Sequence, residues 1–170
     1  MDIFYIDVEE FTKTHDKIFL ENFSDGKSFK TEKRFLEYTI GRYLVKKVLK
    51  DFFAIDDDIV LDLNKKPILK KSEIYFSISH SNKYVMACFY KKPCGLDLEF
   101  IKSRDFSRFA KYYKKTFESA EDFYKFWTQK EASYKLHEPF SSIYSSKFKD
   151  NYYLTVVSSD SIDKVSINSI

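Results

Sequence analysis

Glycine is scarce in this chain, with three in 170 residues. No glycine-rich run is followed by Lys-Ser or Lys-Thr, so the phosphate-cradling loop of ordinary kinases and ATPases is missing. The few glycines present then mark places where the backbone needs them. Cysteine is equally sparse. Cys88 and Cys94 are too few for a disulfide framework and lack zinc spacing, which makes a reducing cytoplasm the default expectation. No apolar stretch approaches ~18 residues, and Met1 to Asp7 shows no basic region ahead of a long apolar run, so neither a membrane span nor a signal peptide is expected.

What is present is globular in character. Hydrophobic residues make up 44% and charged residues 32%, enough apolar surface to offset the entropy of folding into one sizeable core or two closely packed lobes. Eighteen Phe and 13 Tyr reflect a compositional bias as much as a function. The net charge of +3 is a mild pull towards an anionic partner, such as a nucleotide-like cofactor or an acidic protein, and does not call for nucleic acid.

Periodicity predicts a strand over residues 2 to 8, a short helix from Thr12 to Asn22 and a long helix from Thr31 to Phe53 with Thr31 as its cap. Strands follow at Ile59 to Leu63, Ile74 to Ser79, Tyr84 to Tyr90 and Pro93 to Phe100. The last three read as an antiparallel meander, with His80 just past a strand end. Helical spacing returns over Phe106 to Phe117 and Ser119 to Leu136. Beyond Glu138-Pro139 a Ser-rich stretch leads to strands at Tyr152 to Val157 and Lys164 to Ile167. A faint echo between Tyr84–Tyr90 and Tyr152–Val157 points to an imperfect two-lobed repeat.

Three stretches can carry chemistry. In Gly95-Leu96-Asp97-Leu98-Glu99 the alternation sends Leu96 and Leu98 into a core and sets Asp97 and Glu99 side by side on the other face. Such a pair is either a solvated acidic edge or two hard ligands suited to Mg²⁺ bridged to substrate phosphates. Trp127, Glu131 and Lys135 share one helix face at four-residue spacing, either as an ordinary Glu-to-Lys pair beside a core Trp or as a third carboxylate with a cation for phosphate. His80, between Ser79 and Ser81, has no Cys or acidic neighbour at nucleophile-activating spacing, which argues against a hydrolase triad.

In their order, the blocks Lys66-Pro67, Phe76-Ser77-Ile78-Ser79-His80-Ser81, Gly95 to Glu99 and Trp127-Thr128-Gln129-Lys130-Glu131-Ala132-Ser133-Tyr134-Lys135 resemble the 4'-phosphopantetheinyl transferases, in particular the type that activates peptide and polyketide synthases. The resemblance spans about Asn64 to Lys135. It implies transfer of the phosphopantetheine arm of coenzyme A to a serine of an apo carrier protein, releasing adenosine 3',5'-bisphosphate. It also implies Mg²⁺, with Mn²⁺ as an alternative ion, on Asp97, Glu99 and Glu131. Lys135 would contact the pyrophosphate beside Lys130, Ser79 and His80 would contact the phosphates, and Lys66 the nucleotide end. Arg34, Arg42 and Lys46 become candidates for the 3'-phosphate. Two positions depart from the family pattern: Lys65 stands where Gly usually precedes Lys-Pro, and Ser77 where Asn is common.

The expectation is an α+β fold of two similar lobes, residues 1–100 and 101–170, each a small antiparallel sheet on a long helix, with the active site between them. The protein would be a cytoplasmic monomer without nucleic-acid or membrane partners. Two rivals stand beside it: another Mg²⁺-dependent phosphotransferase, and a non-catalytic remnant that binds coenzyme A or a carrier.

Overall fold

The structure is a computed structural model that describes residues 1–170. The chain opens with β1 (Asp2–Asp7) and two short helices, α1 (Val8–Thr12) and α2 (Lys17–Glu21), then the long helix α3 (Glu32–Phe53). A small hairpin, β2 (Ile59–Leu61) with β3 (Pro67–Leu69), precedes β4 (Tyr75–Ser81), β5 (Tyr84–Tyr90) and β6 (Cys94–Phe100). Helices α4 (Ser107–Tyr113) and α5 (Ala120–Leu136) follow. The chain closes with β7 (Ser142–Phe148), β8 (Tyr152–Ser158) and β9 (Ser166–Ser169). This is an α+β fold, and no helix is long and apolar enough to cross a membrane.

Local chemistry explains where the long helices begin and end. Thr31 Oγ1 accepts from the Arg34 N–H at 3.2 Å, and Ser119 Oγ from the Asp122 N–H at 3.0 Å, each satisfying an orphan donor of the first turn. Both helices stop at left-handed residues, Ala54 (φ 53°) and His137 (φ 64°). Of the helix expected over Thr12 to Asn22 only α2 forms, starting where Asp16 caps the Phe19 N–H, and α1 begins ahead of that span at Val8, capped by Asp7.

Four strands pair in the order β4-β5-β1-β9, and three in the order β6-β8-β7. The meander expected for β4, β5 and β6 therefore ends after two strands. The second edge of β5 is already taken by β1, in antiparallel register from Asp2 opposite Phe89 to Asp7 opposite Tyr84, so β6 turns away and pairs with β8. β9 returns to lie parallel to β1. A division at residue 100 therefore cuts across both sheets, since β6 pairs with later strands and β9 with an earlier one. The Ser-rich stretch, read as a connection, holds β7. β5 and β8, the echoing segments, are each flanked by strands on both sides.

The alternation of side chains stacks these elements into four layers. Phe4, Ile6, Val85, Ala87 and Phe89 face Leu44, Val45, Val48 and Leu49 of α3 in one core. The opposite face of the same sheet, Ile3, Met86 and Cys88, packs on Leu96, Leu98, Leu154 and Val156 in a second. The far face of the second sheet meets α5 through Ala132, Leu136 and Val157, and through Phe123 against Tyr153. Burial of this kind contributes about 25 cal/mol per Å² of apolar area.

Gly95 is what lets α5 lie so close. A Cβ there would overlap the Ala132 carbonyl oxygen and sit 3.0 Å from the Leu136 nitrogen. Ser145 Oγ, Thr155 Oγ1 and Thr128 Oγ1 form a short hydroxyl chain from β7 through β8 to α5, at 2.9 and 2.8 Å, which gives each of these three hydroxyls a partner, while the neighbouring Ser146 Oγ is buried without one.

Candidate functional site

The two sheets meet edge to edge where β4 runs beside β6, and serine hydroxyls rather than carbonyls join them. Phe76 and Ile78 face α3, so period two turns Ser77, Ser79 and Ser81 towards β6. Their Oγ atoms accept from the N–H groups of Leu96, Leu98 and Phe100 at 3.1, 3.1 and 2.9 Å. His80, within β4 rather than past its end, lies on the α3 side, with Nδ1 3.3 Å from Glu37 Oε1.

On this seam three of the sequence blocks converge. Ser79 Oγ donates to Asp97 Oδ1 at 3.0 Å, and Lys135 Nζ donates to Asp97 Oδ1, the Leu96 carbonyl and Ser79 Oγ at 2.8, 2.9 and 3.1 Å. All three ammonium donors of Lys135 have acceptors, and Asp97 is only 5% exposed. Its Oδ2, however, is buried with no partner. Next along the same face, Glu99 accepts from Ser81 Oγ at 3.1 Å. Burial, and then the neighbouring Asp97 carboxylate, holds the Glu99 carboxyl above the ordinary range, against Ser81, Lys135 and the Trp127 indole, which pull it down. The His80 imidazole is held below its usual value by burial. Glu37 opposes this, while Lys135, Arg34 and Lys33 add to it.

Two cavities open beside the seam. One of about 480 Å³ is bounded by Glu99, Ser81 and His80 on one side and by Lys33, Arg34, Lys102 and Arg104 on the other. A second, about 470 Å³, is lined by Lys27, Arg34, Tyr38, Arg42, Lys65 and Pro67. Arg34, Glu37 and His80 line both, so the two form one groove along α3. The largest cavity, about 860 Å³, lies elsewhere, between α2 and the start of α3, and holds none of the β6 carboxylates.

An orphaned carboxylate oxygen such as Asp97 Oδ2 is what a hard cation satisfies. Mg²⁺ is commonly held by one or two carboxylates plus phosphate oxygens, a mode that Asp97 and Glu99 fit. No group of three or more His, Cys, Asp or Glu side chains is gathered closely enough to hold an ion. Asp97, Glu99 and Glu131 thus do not form the closed triad expected from the sequence. The Lys135 ammonium already neutralises Asp97, and three facing carboxylates without a further cation would repel. Glu131 is half-buried on α5, one turn before Lys135.

The remaining expected residues divide. Arg34 and Arg42 line the groove. Lys46 does not: its Nζ donates to the Asp57 carbonyl at 2.8 Å, in a separate cavity of about 510 Å³. Lys130 is exposed, 4.9 Å over the Tyr113 ring of α4, away from the carboxylates. Lys66 Nζ donates to the Cys94 carbonyl at 3.3 Å and borders a cavity of about 420 Å³ with Pro93 and Leu136. Of the groove residues that the sequence reading passed over, Glu37 and Tyr38 follow Arg34 at three and four residues, and Arg42 follows at eight, so helical spacing was the available signal for them; Lys27, Lys102 and Arg104 lie off the helix and had none.

No protein-family model matches the chain, and no curated protein matches it either.

Proposed function

We propose that this protein transfers the 4'-phosphopantetheine arm of coenzyme A to a serine of an apo carrier protein, releasing adenosine 3',5'-bisphosphate. The observation that carries the reading is the convergence of Ser79, Asp97 and Lys135, from three separate sequence blocks, within hydrogen-bond distance, at the two strands whose Ser81 and Glu99 border the cation-lined groove. Both departures from the family pattern are accommodated. Lys65 adopts the left-handed backbone (φ 63°) that a glycine takes most easily, and Ser77 supplies a hydroxyl to the seam.

In this reading the nucleotide lies along α3, its pyrophosphate beside Lys33, Arg34, Lys102 and Arg104. Asp97 and Glu99 would hold Mg²⁺ or Mn²⁺, which when bound supplies charge neutralisation at the pyrophosphate. The carrier serine oxygen forms a bond to the β-phosphorus as the bond to the departing adenosine bisphosphate breaks, and the serine proton passes to a carboxylate, for which Glu131 is assigned. Lys135 orients Asp97 and adds positive charge next to the negative charge that develops on the departing phosphate. The two similar lobes, monomeric state and cytoplasmic location belong to the same proposal.

The second reading, a remnant that binds coenzyme A or a carrier without turnover, is favoured by the missing carboxylate triad and by a Lys135 whose donors are all engaged. Incubating the protein with coenzyme A, Mg²⁺ and an apo carrier and weighing the carrier by mass spectrometry separates the two. Transfer adds the phosphopantetheine mass and is lost in Asp97→Ala. Binding of coenzyme A with no mass gain on any carrier makes the remnant reading correct.

A further inference from the structure

A carboxylate stands in the middle of the cation-lined groove, and nothing in the transfer chemistry uses it. Glu37 of α3 lines both cavities, and its side chain is only 12% exposed. Its Oε1 lies 3.3 Å from His80 Nδ1 and 3.6 Å from Lys33 Nζ, and its Oε2 lies 3.7 Å from Arg34 Nη1. The contacts to Lys33 and Arg34 are too long for hydrogen bonds, and those two side chains are 71% and 70% exposed. They are free to turn towards a ligand. Asp97 at the seam is the opposite case: its Oδ1 accepts from Lys135 Nζ at 2.8 Å and from Ser79 Oγ at 3.0 Å, a grip that fixes both donors. Glu37 thus adds negative charge to the groove without fastening the cations around it.

In a groove that takes phosphates, such a charge works against binding. We propose that Glu37 weakens the groove's hold on phosphate and so sets the rate at which adenosine 3',5'-bisphosphate departs. The inference rests on the reading that the groove takes coenzyme A. Of the two carboxylates that line the cavity of about 480 Å³, Glu99 is assigned to the metal in that reading, so Glu37 is the one that opposes the phosphates beside Lys33, Arg34, Lys102 and Arg104. Repulsion between like charges a few ångströms apart is strong where water is partly excluded, and salt screens it little. Changes in affinity fall mainly on dissociation, so a groove with the same cations and no opposing carboxylate releases its anion more slowly. The stability at stake is small, because Lys33 and Arg34 pair with Glu37 at ordinary helix spacing.

Glu37→Gln, which keeps the shape and removes the charge, tests the sign of the effect. Calorimetric titration with coenzyme A and with adenosine 3',5'-bisphosphate should show both bound about tenfold more tightly than by wild type. Stopped-flow displacement should show the bisphosphate leaving about tenfold more slowly. A carboxylate that served to orient Lys33, Arg34 and His80 would act the other way, and its loss would weaken both ligands. Glu37→Asp, which keeps the charge, should bind within about twofold of wild type. Glu37→Met gives the neutral comparison where Glu37→Gln does not fold. Unchanged or weaker binding in the folded neutral variant overturns this inference and leaves the coenzyme A reading standing. Binding of neither ligand by wild type overturns that reading, and this inference with it.

Discussion

The two long helices, α3 and α5, start from the same kind of hydroxyl cap, yet they use their cations in opposite ways. Lys135 of α5 reaches inward over Gly95 to Asp97, Ser79 and the Leu96 carbonyl, so its ammonium is part of what holds the second sheet to the first. On α3, Arg34 is mostly exposed with Glu37 3.7 Å away, and Arg42 is buried with one nitrogen unmatched. A charge matched on every side stabilises a seam. A charge left partly unmatched beside a cavity is available to a ligand, and its removal should cost binding more than stability.

The sharpest way to break the comparison is at the closest contact of α5. Gly95→Ala forces a methyl into the Ala132 carbonyl and should cost about 3 kcal/mol or more in denaturant unfolding, because backbone cannot give way as a flexible side chain does. Wild-type stability in this variant would mean that α5 does not lie on β6 as described. Next comes Lys135→Met, which leaves Asp97 buried without its cation and should cost about 3 kcal/mol. Adding Asp97→Asn to it should recover part of that loss, and strictly additive effects would show that the two do not act as a pair.

On the α3 side, Arg34→Ala should change stability by less than about 0.5 kcal/mol while weakening coenzyme A binding severalfold. The reverse pattern would erase the distinction between the helices. The smallest effect concerns Glu99. Its folded-state value is raised, so the folded chain holds that proton more tightly than the unfolded chain, whose carboxyl sits near ~4.3. The stability from this group is present at low pH and is lost as pH rises through the raised value. Glu99→Gln should therefore raise Tm slightly at neutral pH and have no such effect in acid; a lower Tm at neutral pH would contradict the assignment.

The start of α3 and the face pattern of the acidic strand were legible from local pattern. The cap at Thr31 and the alternation that buries Leu96 and Leu98 beneath Asp97 and Glu99 follow from rules acting over a few residues. What escaped depends on distant chain. β6 leaves the meander because β1, from the other end of the sequence, takes the edge of β5. β7 is a strand despite its serines because pairing with the buried β8, in register from Ser142 opposite Ser158, overrides a weak propensity. Lys46 looked like a groove residue on α3 and is drawn instead to the Asp57 carbonyl. That carbonyl sits in a loop organised by the Asp57 carboxylate, which accepts from the Lys71 and Ser72 N–H groups at 2.9 and 2.7 Å. Glu131 shared a helix face with Lys135 as its spacing requires, but spacing on one helix does not say whether its carboxylate meets two others on a strand.

The account turns on whether phosphate and metal meet at the seam. A crystal structure of the protein grown with coenzyme A and Mn²⁺, with anomalous scattering to locate the ion, addresses that claim most directly. The predicted result is an anomalous peak against Asp97 and Glu99, with the pyrophosphate alongside and the nucleotide running down the groove past Arg34 towards Arg42. A nucleotide lodged in the 860 Å³ cavity beside α2, or a peak remote from β6, would contradict it.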